Sequence, residues 1–328
     1  MSIEKVPFEQ PAETPAEAPP EVVPEREVDQ TFDPRFEALI IRDVIQRPSD
    51  ACDAILARSY DFLRKPVPLW GIPDIDQLEE MREDLIAEQP WCIQAIDVLL
   101  AELFARRRFG ATILGITPTL LVGPPGTGKT RLCRRISDKL EAPSLAINVA
   151  GMGDNKVLRG SARGWAGNRP SKIVEFIRQT RCGNPLFLID EIDKTALTTM
   201  NSGSCQEALL DLVQPLNACR YMDSFLLVEC DLSHCMYVLT ANTLSTISAP
   251  LLSRLSLAYV PAPGPEHAPV ILLGVLRDLE RTWRLPEGVL ELSRSESYDL
   301  IGLSPREMQR AVMAIFGSPG AKQRLTWH

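Results

Sequence analysis

Apolar positions along this chain follow two rhythms. Before residue 110 they recur at helical spacing: Phe36, Leu39, Ile40, Val44 and Ile45 fit one such face. Ser49-Asp50 offers a cap for a helix through Ile55, Leu56 and Tyr60. Asp74 or Asp76 opens another through Leu78, Met81 and Leu85. A further helix runs from about Trp91 through Ile96, Leu100 and Phe104 to Arg106-Arg107-Arg108. Cations suit the negative end of a helix, which favours a capping role for these arginines over a nucleic-acid patch. From Thr119 to about Tyr259 short apolar runs alternate with helical stretches. The runs are Leu120–Val122, the middle of Ser144–Val149, Leu186–Ile189, Met236–Thr240 and Leu257–Val260. This alternation predicts an α/β fold, a parallel sheet covered by helices. Pro261-Ala262-Pro263-Gly264-Pro265 breaks the pattern. Helices are then expected over Pro269–Trp283, over 288–293 or beyond, and over Ser304–Phe316. No internal repeat is visible.

One loop between these elements carries chemistry. Gly123-Pro124-Pro125-Gly126-Thr127-Gly128-Lys129-Thr130 matches G-x-x-x-x-G-K-[ST], the phosphate-binding P-loop. It follows the strand Leu120–Val122 and precedes a helix expected over Arg131–Leu140, the setting the motif requires. Glycines let the backbone curl so that N–H groups face phosphate oxygens, and the helix start adds about half a positive charge. Lys129 can reach the β- and γ-phosphates, and Thr130 can hold Mg²⁺. About 60 residues on, Phe187-Leu188-Ile189-Asp190-Glu191-Ile192-Asp193 is an apolar strand ending in acids. At the carboxyl edge of a parallel sheet, Asp190 can serve the Mg²⁺ shell and Glu191 can polarise an attacking water. Tyr237-Val238-Leu239-Thr240 leads to Asn242, a neutral amide able to orient a water or a γ-phosphate. Arg254 and Arg306 are candidates to stabilise charge spreading in phosphoryl transfer. For either arginine alone, a surface salt bridge is the competing reading.

Composition narrows the classes. Hydrophobic residues make up 45% and charged residues 24% of 328, as in ordinary globular proteins. No apolar run of about 20 residues is present to span a membrane. The start Met1-Ser2-Ile3-Glu4-Lys5 lacks a signal-peptide pattern, so a cytoplasmic location is expected. Net charge is −8. Residues 1–35 hold nine acids and three bases, −6 together, leaving −2 for the rest. Nucleic acid is therefore not an expected partner. Eight scattered cysteines form no C-x-x-C, so neither a disulfide framework nor a zinc site is expected. A metal clip at Cys230, Asp231, His234 and Cys235 is the weaker reading. The expected division is an acidic Pro-rich tail without a fold of its own (1–33), a helical region (34–110), a nucleotide-binding α/β domain (111–262), a helical lid (263–317) and a C-terminal tail (318–328).

Taken in order, these motifs resemble an AAA+ ATPase. Asp190-Glu191 resembles Walker B, Asn242 sensor 1, Arg254 the arginine finger and Arg306 sensor 2. Residues 121–130, 184–194, 231–236 and 249–254 are similar to the ATPase module of Lon protease, with weaker similarity over about 35–317. The resemblance implies ATP and Mg²⁺ as ligands, a hexameric ring of identical chains, and protein clients remodelled or unfolded. It places Trp165, in Gly160-Ser161-Ala162-Arg163-Gly164-Trp165-Ala166-Gly167, where Lon has a pore aromatic that grips substrate. It places Trp91 near the adenine, although Cys92 stands where Lon has glycine. Packing within its own domain is the competing reading for Trp165. Lon carries a C-terminal peptidase with a serine–lysine dyad. Here the chain stops at His328, so proteolysis by this chain is not expected. Two other classes stay open: a nucleotide-switched scaffold or adaptor with little turnover, and a DNA-associated AAA+ loader or helicase subunit. The full set of Asp190, Glu191, Asn242, Arg254 and Arg306 argues against the first, and the acidic balance against the second.

Overall fold

A computed structural model describes residues 36–152, 155–163, 167–195 and 204–318. The tail 1–33, Trp165 and most of 318–328 lie outside the described residues. The first elements among the described residues are β1 (Glu37–Ala38), α1 (Ala51–Arg58) and β2 (Val67–Pro68), with β1 and β2 antiparallel. The helix expected over residues 36–45 is not formed. Ala38 and Ile40 are buried while Glu37 and Leu39 are exposed, the alternation of extended chain. The backbone there is satisfied by distant partners: Ile41 N–H donates to Leu63 O (3.0 Å), and Ile40 O accepts from Asp231 N–H (2.7 Å). These contacts outweigh a local helical pattern.

The next helices form as their caps predict. Asp50 accepts from Asp53 N–H at the start of α1. Asp74 and Gln77 form a reciprocal capping box on α2 (Ile75–Glu88), whose buried face is Leu78, Met81 and Leu85. The turn Pro90–Cys92 leads into α3 (Ile93–Arg108), which ends on Arg106, Arg107 and Arg108. Arg106 pairs with Glu102 one turn back.

The sheet follows. β3 (Thr119–Val122) feeds α4 (Lys129–Lys139), then come β4 (Ser144–Asn148), the short α5 (Lys156–Arg159), α6 (Lys172–Thr180) and β5 (Leu186–Asp190). After α7 (Cys205–Leu212) and α8 (Pro215–Ala218) stands a hairpin, β6 (Tyr221–Asp223) and β7 (Val228–Cys230), which the periodicity does not anticipate. β8 (Met236–Ala241), α9 (Ala249–Leu252) and β9 (Ser256–Tyr259) complete the sheet, in the order β4-β5-β8-β3-β9 with every neighbouring pair parallel.

Alternation along the strands divides the interior into two cores. Leu120, Phe187, Ile189, Tyr237 and Leu239 face one side, packed with the N-terminal segment, α6, α7 and the hairpin. Leu121, Leu186, Leu188, Met236 and Val238 face the other, packed with α2, α3, α4 and the C-terminal helices. Strands buried on both faces read as unbroken apolar runs, which is why they stand out in the sequence.

The last elements among the described residues are α10 (Ala268–Trp283), α11 (Arg294–Asp299) and α12 (Pro305–Phe316). A helix within residues 288–293 is not formed. Gly288 has φ +81°, and Ser293 caps α11 through Glu296, so the helix can begin only after it.

One buried side chain ties the N-terminal segment to the sheet. Asn184 is fully buried, accepts from Trp70 N–H (2.6 Å) and donates to Trp70 O (3.1 Å) and Leu114 O (2.9 Å). Truncation removes the side-chain partners of Trp70 N–H and Leu114 O, while Trp70 O keeps its bond from Leu114 N–H (2.9 Å). Asn184→Ala is expected to cost about 2–4 kcal/mol, read as a lower denaturant midpoint.

Candidate nucleotide site

The phosphate loop is the connection from β3 to α4, and its three glycines serve two different needs. Gly126 and Gly128 have φ +80° and +94°, a region that side chains disfavour. Gly123 is required for close approach instead. A Cβ there would lie 2.0 Å from Val260 O, in the chain leaving β9. Gly123 N–H in turn donates to Ala241 O at the end of β8 (3.2 Å). The loop is thus clamped between its two neighbouring strands.

Three strand ends meet at this loop. Lys129 is only 7% exposed, and its Nζ donates to Gly123 O (2.7 Å), Pro124 O (2.9 Å) and Asn242 Oδ1 (3.1 Å). Burial lowers the pKa of its ammonium, while Asp190, Asp193 and Glu191 pull the other way. Thr130 Oγ1 donates to Asp190 Oδ2 (3.0 Å). P-loop Lys129 and Thr130, the β5 carboxylate of Asp190 and the Asn242 amide just past β8 therefore form one connected cluster.

Further residues organise this cluster without being apparent in the sequence. Thr240, the penultimate residue of β8, donates its hydroxyl to Asp190 Oδ1 and accepts from Glu191 N–H (3.1 Å). Asp193 Oδ2 accepts from Asn242 N–H (3.1 Å) and so fixes the amide that meets Lys129. Glu191 itself is left-handed, with φ +61°. Its Oε1 is paired with Lys194 Nζ (2.5 Å). That hydrogen bond holds the Glu191 carboxyl below its ordinary pKa, with Asn148 and Arg306 acting in the same sense. The fixed spacing of Asp193 and Lys194 from Asp190 is the only signal the sequence offers for them.

The cluster opens on a cavity of about 720 Å³ lined by Gly126–Thr130, Asp190, Glu191 and Asn242. Arg306, in the first turn of α12, lines it from the opposite wall with Arg281 and Asp278. An ion pair between Arg131 of α4 and Asp278 of α10 joins the two walls. Arg254 does not line this cavity; it is exposed beyond α9, held by Gln214 Oε1 (2.9 Å) and Pro250 O (2.8 Å). Trp91 does not line it either. Its ring is buried and donates Nε1–H to Thr127 O (2.9 Å), bracing the loop from behind.

The residues present fit a magnesium nucleotide. A hydroxyl and a carboxylate held together at Thr130 and Asp190 are the hard oxygen donors Mg²⁺ prefers. The left-handed glycines and the start of α4 make a concave cradle of backbone N–H groups for phosphates.

Comparison with known proteins defines the class. Residues 119–260 match the ATPase family associated with various cellular activities (AAA), so an AAA ATPase domain occupies this part of the chain. Curated proteins similar to this chain include Lon proteases. That of Heliobacterium modesticaldum is 31% identical over 216 residues, 65% of this chain and 26% of its own. Lon protease 1 of Thermus thermophilus is 34% identical over 214 residues, 64% of this chain and 26% of its own. The chain thus spans about a quarter of the length of these relatives. A closed-state cryo-EM reconstruction of Hsp104 with ATPyS and FITC casein shares the fold, with a TM-score of 0.57 and 18% identity over 74% of this chain and 46% of that one. No helix among the described residues is long and apolar enough to cross a membrane.

The close approach at Gly123 is testable. Gly123→Ala forces the Val260 backbone away from the loop. The expected cost is about 2–3 kcal/mol, visible as a lower Tm before any nucleotide is added.

Proposed function

We propose that this chain binds ATP with Mg²⁺ at the candidate site, hydrolyses it, and works as a ring of identical chains that remodels or unfolds protein clients. The observation that carries the reading is the single connected cluster of Lys129, Thr130, Asp190 and Asn242, with Arg306 across the cavity. In this reading Gly123–Thr130 cradle the phosphates and Lys129 neutralises them. Mg²⁺, held by Thr130 and Asp190, offsets phosphate charge when bound. Glu191 accepts a proton from the attacking water, Asn242 orients that water or the γ-phosphate, and Arg306 reaches the nucleotide from the lid.

Arg254 is exposed and outside its own chain's cavity, which suits a residue that acts on a neighbour's nucleotide. That is the support for an oligomer, and a hexameric ring is carried over from the resemblance. The same resemblance gives Trp165 its role as a pore residue gripping clients. The resemblance also puts Trp91 near the adenine, and its hydrogen bond to Thr127 O braces the phosphate loop. Peptidase activity is not assigned to this chain. The pairing of Glu191 with Lys194 favours one second reading, a nucleotide-switched scaffold with little turnover.

Phosphate release from ATP and Mg²⁺ across protein concentrations separates the two. The motor reading expects a specific rate that rises with concentration and vanishes in Glu191→Gln, which still binds nucleotide. Tight binding without release above that variant would favour the scaffold.

The Lys194 contact sets a pH expectation. Lys194 stabilises the ionised carboxyl, so the acid limb of phosphate release should lie below the ordinary carboxylate range. Lys194→Met removes that stabilisation, and the limb should move up in pH.

A further inference from the structure

Arg254 is anchored without being neutralised. It follows α9 and is exposed, yet its backbone is fixed. It stands in the chain between buried Leu251 and Leu255, and its N–H donates to Leu251 O (3.1 Å). Its guanidinium donates through Nε to Gln214 Oε1 (2.9 Å) and through Nη1 to Pro250 O (2.8 Å). Both acceptors are neutral, and no acid among the described residues forms an ion pair with Arg254. The surface salt bridge that competes for this residue in the sequence is therefore not formed.

The backbone around Gln214 fixes this contact. Gln214 sits half-buried at the junction of α7 and α8, after buried Val213 and before Pro215. A residue before proline is confined to extended backbone, and Gln214 has φ −104° and ψ 112°. Its carbonyl accepts from Asn217 N–H (2.9 Å) and Ala218 N–H (2.8 Å), which closes the first turn of α8. A polar side chain at a helix start ordinarily caps that helix; Gln214 makes no such cap and bonds Arg254 instead. Arginine has only donors, so the amide must present its oxygen. Earlier on α7, Gln206 Oε1 accepts from the N–H of Ser248 (2.8 Å), the residue before α9. Glutamines on and just past α7 thus pin the entry to α9 and its exit.

Charge decides what this arrangement can do. A loose arginine loses much rotamer freedom when it meets a phosphate, and one held in advance loses less. A carboxylate at position 214 would also hold the group, but as a paired fork that cancels the charge a phosphate needs. A neutral amide orders the guanidinium and leaves its charge in place. The bonds to Gln214 and Pro250 use Nε and one N–H of Nη1, which leaves Nη2 to meet an anion.

We infer that Gln214 is a positioning residue for Arg254: it holds the guanidinium ready, with its charge intact, for the phosphates bound by a neighbouring chain. The inference rests on the ring reading above, in which Arg254 acts on a neighbour's nucleotide.

The test is phosphate release by the wild-type chain mixed with a fixed excess of Glu191→Gln chains, which bind nucleotide and release none. Each phosphate then comes from a wild-type site served by a dopant's arginine. The dopants compared are Glu191→Gln alone, Glu191→Gln with Arg254→Ala, and Glu191→Gln with Gln214→Glu or Gln214→Met. Relative to Glu191→Gln alone, the Gln214→Glu dopant should lower the rate per wild-type chain about 10–100-fold, the scale of a misplaced catalytic group. Gln214→Met, which loses the acceptor but adds no charge, should give a smaller fall. Chains carrying only a Gln214 substitution should keep the wild-type Kd for ADP, because their own phosphate loop is untouched. A fall with the Arg254→Ala dopant but none with either Gln214 dopant would overturn the inference, and a lower Tm in those variants would then mark Gln214 as merely structural. No fall with Arg254→Ala either would remove the ring reading of Arg254 and the inference with it. If Gln214→Glu shows no melting transition, Gln214→Met carries the same comparison.

Discussion

The site depends on the register of β3 against β8 and β9. Val122 stands opposite Ala241 on one side and Tyr259 on the other. That register brings Gly123 within hydrogen-bonding distance of Ala241 and leaves no room for a side chain against Val260. From this clamp the loop can rise only over the carboxyl edge of the sheet, where β5 and β8 also end. Side-chain direction alternates along a strand, so a one-residue slip of β8 would exchange the two cores as well as displace Asn242. Packing and chemistry are therefore fixed by the same pairing.

Charge within the site is arranged around one buried ammonium. Lys129 is desolvated, and carboxylates on β5 and just beyond it offset that cost. In the structure described here it satisfies its donors with Gly123 O, Pro124 O and Asn242 Oδ1. Phosphate oxygens would compete for those same donors. Lys129 thus links the loop's own backbone to the amide beyond β8, and any ligand that engages it must alter that link. Residues 1–35 carry −6 of the net charge of −8, so the remainder of the chain carries only −2.

The helices on the second core attach to the P-loop helix through ion pairs as well as apolar contacts. Arg135 of α4 makes a two-pronged bond to Glu88 of α2, and Arg131 pairs with Asp278 of α10. Partly exposed pairs of this kind contribute little stability each but fix orientation. They connect the helix that follows the phosphate loop to both the N-terminal segment and the C-terminal helices.

Much of this was legible in the sequence. The P-loop, the Asp190-Glu191 strand end, the five sheet strands, the capped helices at Asp50 and Asp74 and the helix expected over Ser304–Phe316 are local patterns, set by period, cap chemistry and spacing. The stretch 36–45 was misleading because its helical spacing says nothing of the Leu63 and Asp231 backbone groups that hold it extended. The β6–β7 hairpin was hidden because its strands are only three residues each and depend on buried Asp223, which accepts from Ser171, Phe225 and Leu226 N–H groups. Thr240, Asp193 and Gln214 are ordinary residues until the fold sets them beside Asp190, Asn242 and Arg254. By itself the sequence determined which segments form strands, caps and the phosphate loop, because those follow from neighbours a few positions apart. Only the tertiary structure decided which polar atoms are paired and which glycine yields to a passing backbone, because those depend on groups brought together from distant parts of the chain.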